Sequence, residues 1–154
     1  MKSNIVKMCL SAFFFIGGMI FARAMQVDYV SFKPSVGAFS LSADGRVATI
    51  CVDTADYKGV RLAACNLGTD IGRVTGTAAD VSLSLSSERG VVVAGTIGRN
   101  RQIDEWMKQG KLDVSAIEGK WESYLIQTVD GNLVIAGSDK RCLLYTSPSP
   151  RDCS

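Results

Sequence analysis

The densest run of strand-forming residues lies at residues 119–141. Within it, residues 124–129 and 133–136 are rich in β-branched, aromatic and aliphatic side chains, which favour strands. Asp130-Gly131-Asn132 separates them and predicts a turn, because glycine tolerates the positive φ that a tight turn needs. The pattern therefore predicts two neighbouring antiparallel strands. Polar residues gather where the second strand ends, which is the edge where ligands usually bind in open α/β sheets.

Hydrophobic spacing predicts a long helix over residues 57–75. Its apolar side chains recur at three- and four-residue steps and share one face: Val60, Ala63, Ala64, Leu67, Ile71 and Val74. Thr54 or Asp56 can cap its start, and Gly76 can end it. Because Gly59, Gly68 and Gly72 weaken an isolated helix by about 1 kcal/mol each, we expect packing on a sheet to hold this helix.

Further strands and a second helix complete the predicted fold. Asp44-Gly45 is a typical hairpin turn, and a short helix over residues 101–109 has Asn100 as its cap and Gly110 as its terminator. The remaining strands are expected at residues 47–52, 81–85 and 91–96. The last of these and residues 133–138 both end in Ala-Gly-hydroxyl, which predicts equivalent strand ends. The fold class is thus α/β in its α+β variant, a mixed sheet with packed helices.

The two ends of the chain differ from its centre. Residues 1–24 combine two lysines, an apolar block and Ala22-Arg23-Ala24, the pattern of a cleaved secretory signal peptide. An uncleaved membrane anchor is the alternative, but the apolar block is shorter than the ~20 residues that span a bilayer. We therefore expect a secreted or periplasmic protein with no stable membrane span after cleavage.

Residues 142–154 form a tail with two of the three prolines and no hydrophobic period. This tail looks like the translation of a sequencing adaptor, and a genuine Ser/Pro linker is the alternative. We accordingly expect three segments: a signal peptide at 1–24, an incomplete α/β accessory domain at 25–141 and a non-native tail at 142–154.

Composition excludes several kinds of site. The net charge of +2 falls to near −1 when the three cations of the leader are removed, so no nucleic-acid-binding face is implied. Histidine is absent, which disfavours Ser-His-Asp and Cys-His catalysis and the common zinc sites. We expect no metal and no cofactor. Of the five cysteines, Cys51 and Cys65 lie in predicted elements, and we expect two buried thiols, with a disulfide between them as the alternative.

Several motifs together resemble a known family. The run GKWESYLIQTV, followed by VIAGSDKR, resembles the amino-terminal domain of glycoside hydrolase family 115, the xylan α-glucuronidases. The resemblance extends back through VVVAGTIGR and GKLDVSAI, and further through GVRLAA and DIGRVTG. It covers roughly residues 35–141, and the KWESY and GSDKR motifs at this spacing are its most specific part.

This resemblance implies the function of a longer parent protein. In that family a barrel domain follows and removes glucuronic acid, or its 4-O-methyl ether, from glucuronoxylan by inverting hydrolysis. An apolar helix should also follow Arg141 and pack on the sheet, so the natural chain is expected to continue past Arg141. The part present here would be structural and inactive, would contain no catalytic residue, and would meet glucuronoxylan through the barrel. The full enzyme could be a homodimer, and the sequence leaves its oligomeric state undecided.

Candidate site residues are few. Arg141 and its neighbour Lys140 are the substrate-binding candidates, because a guanidinium at a strand end can clamp a carboxylate; a salt-bridged turn against the next domain is the alternative. Trp121 and Tyr124 could stack on a sugar or pack in an interface. The acids have structural explanations and form no evident pair: Asp104, Glu105, Glu118, Glu122, Asp130 and Asp139.

Two other functions remain open at this point. A secreted carbohydrate-binding module would use Trp121 and residues 139–141 and would be complete without a further domain. A nucleotide-binding domain would use the glycines of GTIGR at residues 95–99, but the run lacks GxGxxG and the Lys-Ser/Thr of a phosphate loop. A tight strand-to-helix turn is the favoured interpretation of that run.

Overall fold

The computed structural model describes residues 31, 33, 35–84 and 89–141. The predicted leader at 1–24 and the predicted tail at 142–154 lie outside these ranges. All elements below belong to the compact unit Pro34–Ser154. In the described ranges, no helix is both long and apolar enough to cross a membrane.

The described part of this unit contains seven strands and two helices. In chain order they are β1 (Ser42–Ala43), β2 (Arg46–Val47), β3 (Ile50–Cys51), α1 (Lys58–Thr75), β4 (Val81–Ser82), β5 (Val92–Thr96), α2 (Arg101–Lys108), β6 (Tyr124–Val129) and β7 (Asn132–Gly137).

Five of these strands form one mixed sheet in the order β4-β3-β5-β7-β6. β3 lies parallel to both β4 and β5, β5 lies parallel to β7, and only the edge strand β6 runs antiparallel. The strand order changes direction between β3 and β5, because the chain first moves outward to β4 and then crosses back. The predicted fold class, a mixed sheet with packed helices, is confirmed.

The predicted hairpin at the carboxyl end is confirmed, with a tighter turn than expected. Val129 pairs with Asn132, so only Asp130 and Gly131 form the loop. Both have positive φ, 50° and 80°, as a two-residue turn of type I′ requires. Asn132 belongs to β7 instead, where its buried Oδ1 accepts a hydrogen bond from the Val91 amide at 3.2 Å. The hairpin is thereby tied to the central strand β5.

The single strand expected at residues 47–52 is wrong, because the chain changes sheets within it. Arg46 and Val47 pair with β1 across the predicted Asp44-Gly45 turn, whereas Ile50 and Cys51 pair with β4 and β5. The apolar run is continuous because Val47 and Ala48 pack partly buried against the same cluster in which Ile50 and Val52 are fully buried. Hydrophobicity alone therefore gives no signal of the break.

Helix α1 covers the middle of one sheet face. Val60, Ala64 and Ile71 are buried and pack with residues of β3 and β5 in one apolar cluster. Gly76 ends the helix in the left-handed conformation, as predicted. Two expectations for this helix are wrong. Val74 is 80% exposed, since the last turn carries it away from the cluster, and the N-cap is Tyr57, with no side-chain cap hydrogen bond.

The glycines of α1 allow a close approach of the following loop. A Cβ on Gly68 would lie 2.8 Å from the Ala79 carbonyl oxygen, and one on Gly72 would lie 2.9 Å from Ala78 Cα. The Ala79 amide also donates a hydrogen bond to the Gly68 carbonyl at 3.2 Å. These glycines weaken the isolated helix, but they let the segment leading into β4 pack against it.

We expect the substitution Gly68→Ala to destabilise the protein by about 1–2 kcal/mol, although alanine is the better helix former. The clash is with backbone, which cannot rotate away. Urea unfolding of the variant measures the loss. Thr69→Ala is the control, because Thr69 lies next to Gly68 on the exposed side and should be neutral or slightly stabilising. A Gly68→Ala protein as stable as Thr69→Ala would contradict the close approach.

Helix α2 covers the opposite face of the sheet. Ile103 and Trp106 are buried in a second apolar cluster with Cys51 and with residues of β5 and β7. Cys51 thus belongs to the α2 side, while Cys65 is exposed on α1. No disulfide joins Cys51 to Cys65, so the alternative of a Cys51–Cys65 bridge is wrong. The expectation of two buried thiols is wrong for Cys65.

Part of the α1-side face carries no helix in the described structure. On β7, Leu133 and Ile135 are only partly buried against the α1-side cluster. Ile126 pairs with Ile135 and is 55% exposed, and directly paired residues point to the same side of a sheet. Apolar surface on β6 and β7 is therefore open to solvent beside α1.

Candidate functional site

The carboxyl ends of β3, β5 and β7 bring three loops to one edge of the sheet. The loops are residues 52–57, 97–100 and 138–141. The break in strand order lies between β3 and β5, and ligands in open α/β sheets bind in the crevice outside such a break. Two clusters of side chains lie along this edge, one at the break and one at the end of the hairpin.

Asp53 anchors the cluster at the break. Its side chain is buried, and Oδ2 accepts hydrogen bonds from Arg101 Nε at 2.8 Å and from the Arg101 amide at 3.2 Å. Oδ1 accepts from the Ala55 amide at 2.9 Å. Burial acts to raise the pKa of this carboxyl, but the bonds from Ala55 and Arg101 outweigh it, so the pKa of Asp53 lies below its ordinary value. Asp53 is therefore an ionised crosslink between two loops.

Asp56 makes a second crosslink, from the loop after β3 to the last residue of β5. Its Oδ2 accepts a hydrogen bond from the Thr96 amide at 2.7 Å, and its Oδ1 accepts from the Tyr57 amide at 2.7 Å. The guanidinium of Arg99 also lies 4.5 Å from the centre of the Tyr57 ring, a cation–π distance. Because backbone amides occupy both oxygens of this buried carboxylate, it is poorly placed to act as an acid or base.

Asn100 holds the start of α2 against the end of β5. It is fully buried, its Oδ1 accepts from the Gln102 and Ile103 amides, and its Nδ2 donates to the Ala94 carbonyl. The predicted cap is thus confirmed. A Cβ on Gly95 would lie 2.5 Å from Asn100 Nδ2, so the cap fits only because residue 95 is glycine.

The amides of the GTIGR turn are already used within the protein. Gly98 N donates to Asp104 Oδ1, the amides of Arg99 and Asn100 donate to the Thr96 carbonyl, and the Arg101 amide donates to Asp53. A phosphate loop presents such amides to its ligand. The geometry therefore agrees with a tight strand-to-helix turn and disfavours an anion site at the start of α2.

Thr96 contains the one buried side-chain polar atom that lacks a hydrogen-bond partner among the described residues, its Oγ1. We expect Thr96→Val to stabilise the protein by about 1 kcal/mol, because valine keeps the shape and removes an unsatisfied hydroxyl. Thr128→Val, at an exposed site on β6, is the control and should change little. Thermal unfolding compares the two, and a Thr96→Val protein less stable than the parent would show that the hydroxyl makes a favourable contact.

The second cluster lies at the end of the hairpin and contains the predicted binding residues. Trp121 is 76% exposed, and the Arg141 guanidinium lies 5.5 Å from the centre of its ring. Arg141 Nη1 also lies 3.9 Å from Glu122 Oε1. Asp139 accepts hydrogen bonds from the Glu122 and Arg141 amides. The structure thus brings Arg141 to Trp121 and Glu122, while Lys140 is exposed beside them.

The other acids considered from the sequence lie apart in structural roles. Asp104 is in the first turn of α2 and accepts from Gly98 N, and Asp130 forms an exposed ion pair with Lys111 at 2.7 Å. Glu105 accepts a hydrogen bond from the Gln109 side chain at the end of α2, and Glu118 is exposed in the segment between α2 and β6. Within the ranges that the structure describes, no three acidic or cysteine side chains are grouped so as to hold a metal.

The sequence interpretation missed Asp53 as the central residue of the edge. Its signal was its position, since it directly follows the apolar run of β3 at the carboxyl end of a buried strand. Asp56 was considered only as a helix cap.

Fold and edge together define a mixed α/β domain with a cluster of charged and aromatic side chains at the carboxyl end of β7. No protein-family model and no curated protein matches this chain. Among solved structures, the fold is similar to that of a family GH115 4-O-methyl-α-glucuronidase with specificity for decorated arabinogalactans. The TM-score is 0.52, with 25% sequence identity over 64% of this chain. The match spans 12% of that protein's length, and it supports a GH115-like fold.

Proposed function

We propose that this chain is the amino-terminal accessory domain of a longer α-glucuronidase, which removes glucuronic acid or its 4-O-methyl ether from a polysaccharide. The observation that carries the proposal is the structural similarity to a GH115 enzyme, together with the small share of that enzyme that the chain matches. Catalysis would belong to a following domain, as an inverting hydrolysis between two carboxylates. The domain itself would be structural and inactive.

The arrangement of acids supports an inactive domain. Asp53 and Asp56 are buried and accept hydrogen bonds on both oxygens. An inverting glycosidase instead needs two carboxyl groups that face a common space of about 6.5–9.5 Å, with room for water. Asp53 and Asp56 instead bind neighbouring segments of the chain to the loop after β3.

The open apolar surface on β6 and β7 supports a longer parent chain. Exposed apolar patches on soluble proteins often mark surfaces that another segment covers. Right-handed crossovers place α1 and α2 on opposite faces, because the strand order moves in opposite directions across them. Ile126 and Ile135 lie on the α1 side but stay partly open to solvent. A helix after Arg141 that packs on them would complete this side.

Two polysaccharides could carry the acidic sugar that the proposed enzyme removes. The sequence resemblance implies glucuronoxylan, whereas the structural neighbour has specificity for decorated arabinogalactans. Both alternatives are compatible with removal of the same acidic sugar. We propose glucuronoxylan as the substrate, with secretion or export to the periplasm.

The test is to recover the coding DNA across the codon for Arg141 and to express the extended product. We expect it to release 4-O-methylglucuronic acid from glucuronoxylan, with decorated arabinogalactan as the parallel substrate, and we expect the 154-residue chain to release none. A natural stop codon after Ser154, or an extended product inactive on both polymers, would refute the proposal. Release from arabinogalactan alone would correct the substrate and keep the enzyme class.

A carbohydrate-binding module is the second candidate function. The observation in its favour is the exposed Trp121 beside the Arg141 guanidinium. This alternative predicts that the gene ends without a catalytic domain and that the chain alone binds glucuronoxylan. The DNA sequence therefore separates the two candidates before any binding is measured.

A further inference from the structure

Trp121 and Arg141 form an exposed pair at the open end of the β6–β7 hairpin. Tryptophan is usually well buried, yet Trp121 is 76% exposed at the beginning of the hairpin. The guanidinium of Arg141 lies 5.5 Å from the ring centre, and the Arg141 side chain is itself 49% exposed. A largely exposed aromatic ring and a half-exposed positive charge thus lie in contact.

The backbone around this pair is fixed. Asp139 Oδ2 accepts from the Glu122 amide at 2.9 Å, and its Oδ1 accepts from the Arg141 amide at 2.7 Å. Glu122 has a φ of 52°, a conformation that a residue with a side chain keeps only when its surroundings impose it. The two segments that carry Trp121 and Arg141 are therefore held together before any ligand arrives.

The charges of the cluster favour an anion. Arg141 and the exposed Lys140 supply two cations, against the two carboxylates of Asp139 and Glu122. The Asp139 carboxylate is bound by two backbone amides. The Glu122 carboxylate lies 3.9 Å from Arg141, at the outer limit of an ion pair. That contact is exposed and weak. A ligand carboxylate could replace it with a bidentate bond to the guanidinium.

We propose that Trp121 and Arg141 form a binding subsite for a uronic acid residue of a polysaccharide. The indole ring stacks on the C–H face of the sugar, and the Arg141 guanidinium binds the sugar carboxylate, with Lys140 adding positive charge. The choice of glucuronic acid as the sugar rests on the proposed function. The subsite itself rests on the Trp121–Arg141 contact and on the hydrogen bonds of Asp139 that hold the two segments together.

The test uses the full chain and two matched ligands in NMR or calorimetric titrations. One is a xylo-oligosaccharide that bears 4-O-methylglucuronic acid, and the other is the same oligosaccharide with its carboxylate reduced to an alcohol. We expect saturable binding of the acid, about 10-fold weaker binding of the alcohol, and loss of the difference at high salt.

Variants assign the binding to the two side chains. Trp121→Ala and Arg141→Ala should each weaken binding of the acid about 10-fold, whereas Trp121→Phe should retain most of it. Glu122→Gln should strengthen binding two- to threefold or so, because it removes the competing carboxylate. Arg73→Ala, a loss of the same charge at the end of α1, is the control and should leave binding unchanged.

Equal binding of acid and alcohol would overturn the proposal, as would the absence of saturation at the solubility limit of the acid. An Arg73→Ala loss equal to that of Arg141→Ala would also overturn it, because binding would then depend on general charge. These results are independent of the proposed enzyme. An active extended product with no binding at Trp121 refutes the subsite alone, and specific binding by a chain whose gene encodes no catalytic domain refutes the enzyme alone.

Discussion

Gly95→Ala is expected to lower the free energy of unfolding by about 3 kcal/mol. The new Cβ would lie 2.5 Å from Nδ2 and 2.6 Å from Cβ of Asn100, which is fully buried. Asn100 can move away only by giving up its bonds to the α2 amides and to the Ala94 carbonyl. The cap of α2 and the packing of β5 would be lost together. Chemical unfolding, followed by circular dichroism, measures the effect.

Two further variants test the cause of that loss. Gly98→Ala meets no atom within 4 Å but has a φ of 75°, so it should cost only the backbone strain of about 1–2 kcal/mol. The double variant Gly95→Ala with Asn100→Gly removes the clash and keeps an acceptable cap residue. It should be more stable than the sum of the two single losses predicts. Strict additivity would contradict the contact.

The second large effect is expected for Asp53→Asn, with a loss of about 2–3 kcal/mol near neutral pH. The carboxylate accepts three hydrogen bonds, from Ala55 N, Arg101 N and Arg101 Nε. Asparagine has the same shape, but its NH₂ group must replace either Oδ1 or Oδ2. In either position the NH₂ group faces N–H donors, of Ala55 or of Arg101, and cannot accept their hydrogen bonds. The variant therefore loses at least one of these part-buried hydrogen bonds to a charged acceptor and removes the charged partner of Arg101, whose side chain is 75% exposed.

The loss should depend on pH in a defined direction. The pKa of Asp53 is lowered in the folded protein, whereas an unfolded aspartate has a pKa of about 3.9. A depressed folded pKa contributes stability that is fully present above the unfolded value and is lost as the pH falls through the folded value. Urea unfolding between neutral and acidic pH should therefore show the parent and Asp53→Asn converging below about pH 4.

Asp113→Asn is the control for the pH experiment. The pKa of Asp113 is also lowered, by hydrogen bonds from the Ser115 amide and hydroxyl, but Asp113 is exposed. Its replacement should affect stability far less than that of Asp53. If Asp53→Asn and the parent keep a constant difference in stability from neutral to acidic pH, the ionised crosslink does not exist.

Local signals in the sequence predicted most of the fold. The β6–β7 hairpin, the bounds of α1 to within a residue, the Gly76 terminator and the Asn100 cap all follow from patterns of a few neighbouring residues. The wrong predictions concern features that are set by contacts between segments distant in the sequence. Val74 has the correct spacing but lies beyond the cluster, and the break between β2 and β3 depends on which strands pair with each half.

The site was less predictable for the same reason. Lys140 and Arg141 could be proposed from their position after a strand. The contact of Arg141 with Trp121, 20 residues earlier, depends on the register of the hairpin. Asp53 lies in the loop after β3 and Arg101 is the first residue of α2, and they meet only because β3 and β5 are parallel neighbours. A single sequence contains no pattern that reports such a pairing.

The position of β5 at the centre of the sheet has a consequence for how the chain folds. Both of its neighbours pair with it in parallel, and each pairing closes a loop of about 40 residues. The β6–β7 hairpin, by contrast, closes across two residues and can form within microseconds or so. We expect the hairpin to form early and to wait for β5, with the unpaired edge of β7 exposed during that interval. Conditions that slow the docking of β5 should therefore promote aggregation through this edge rather than through the completed sheet.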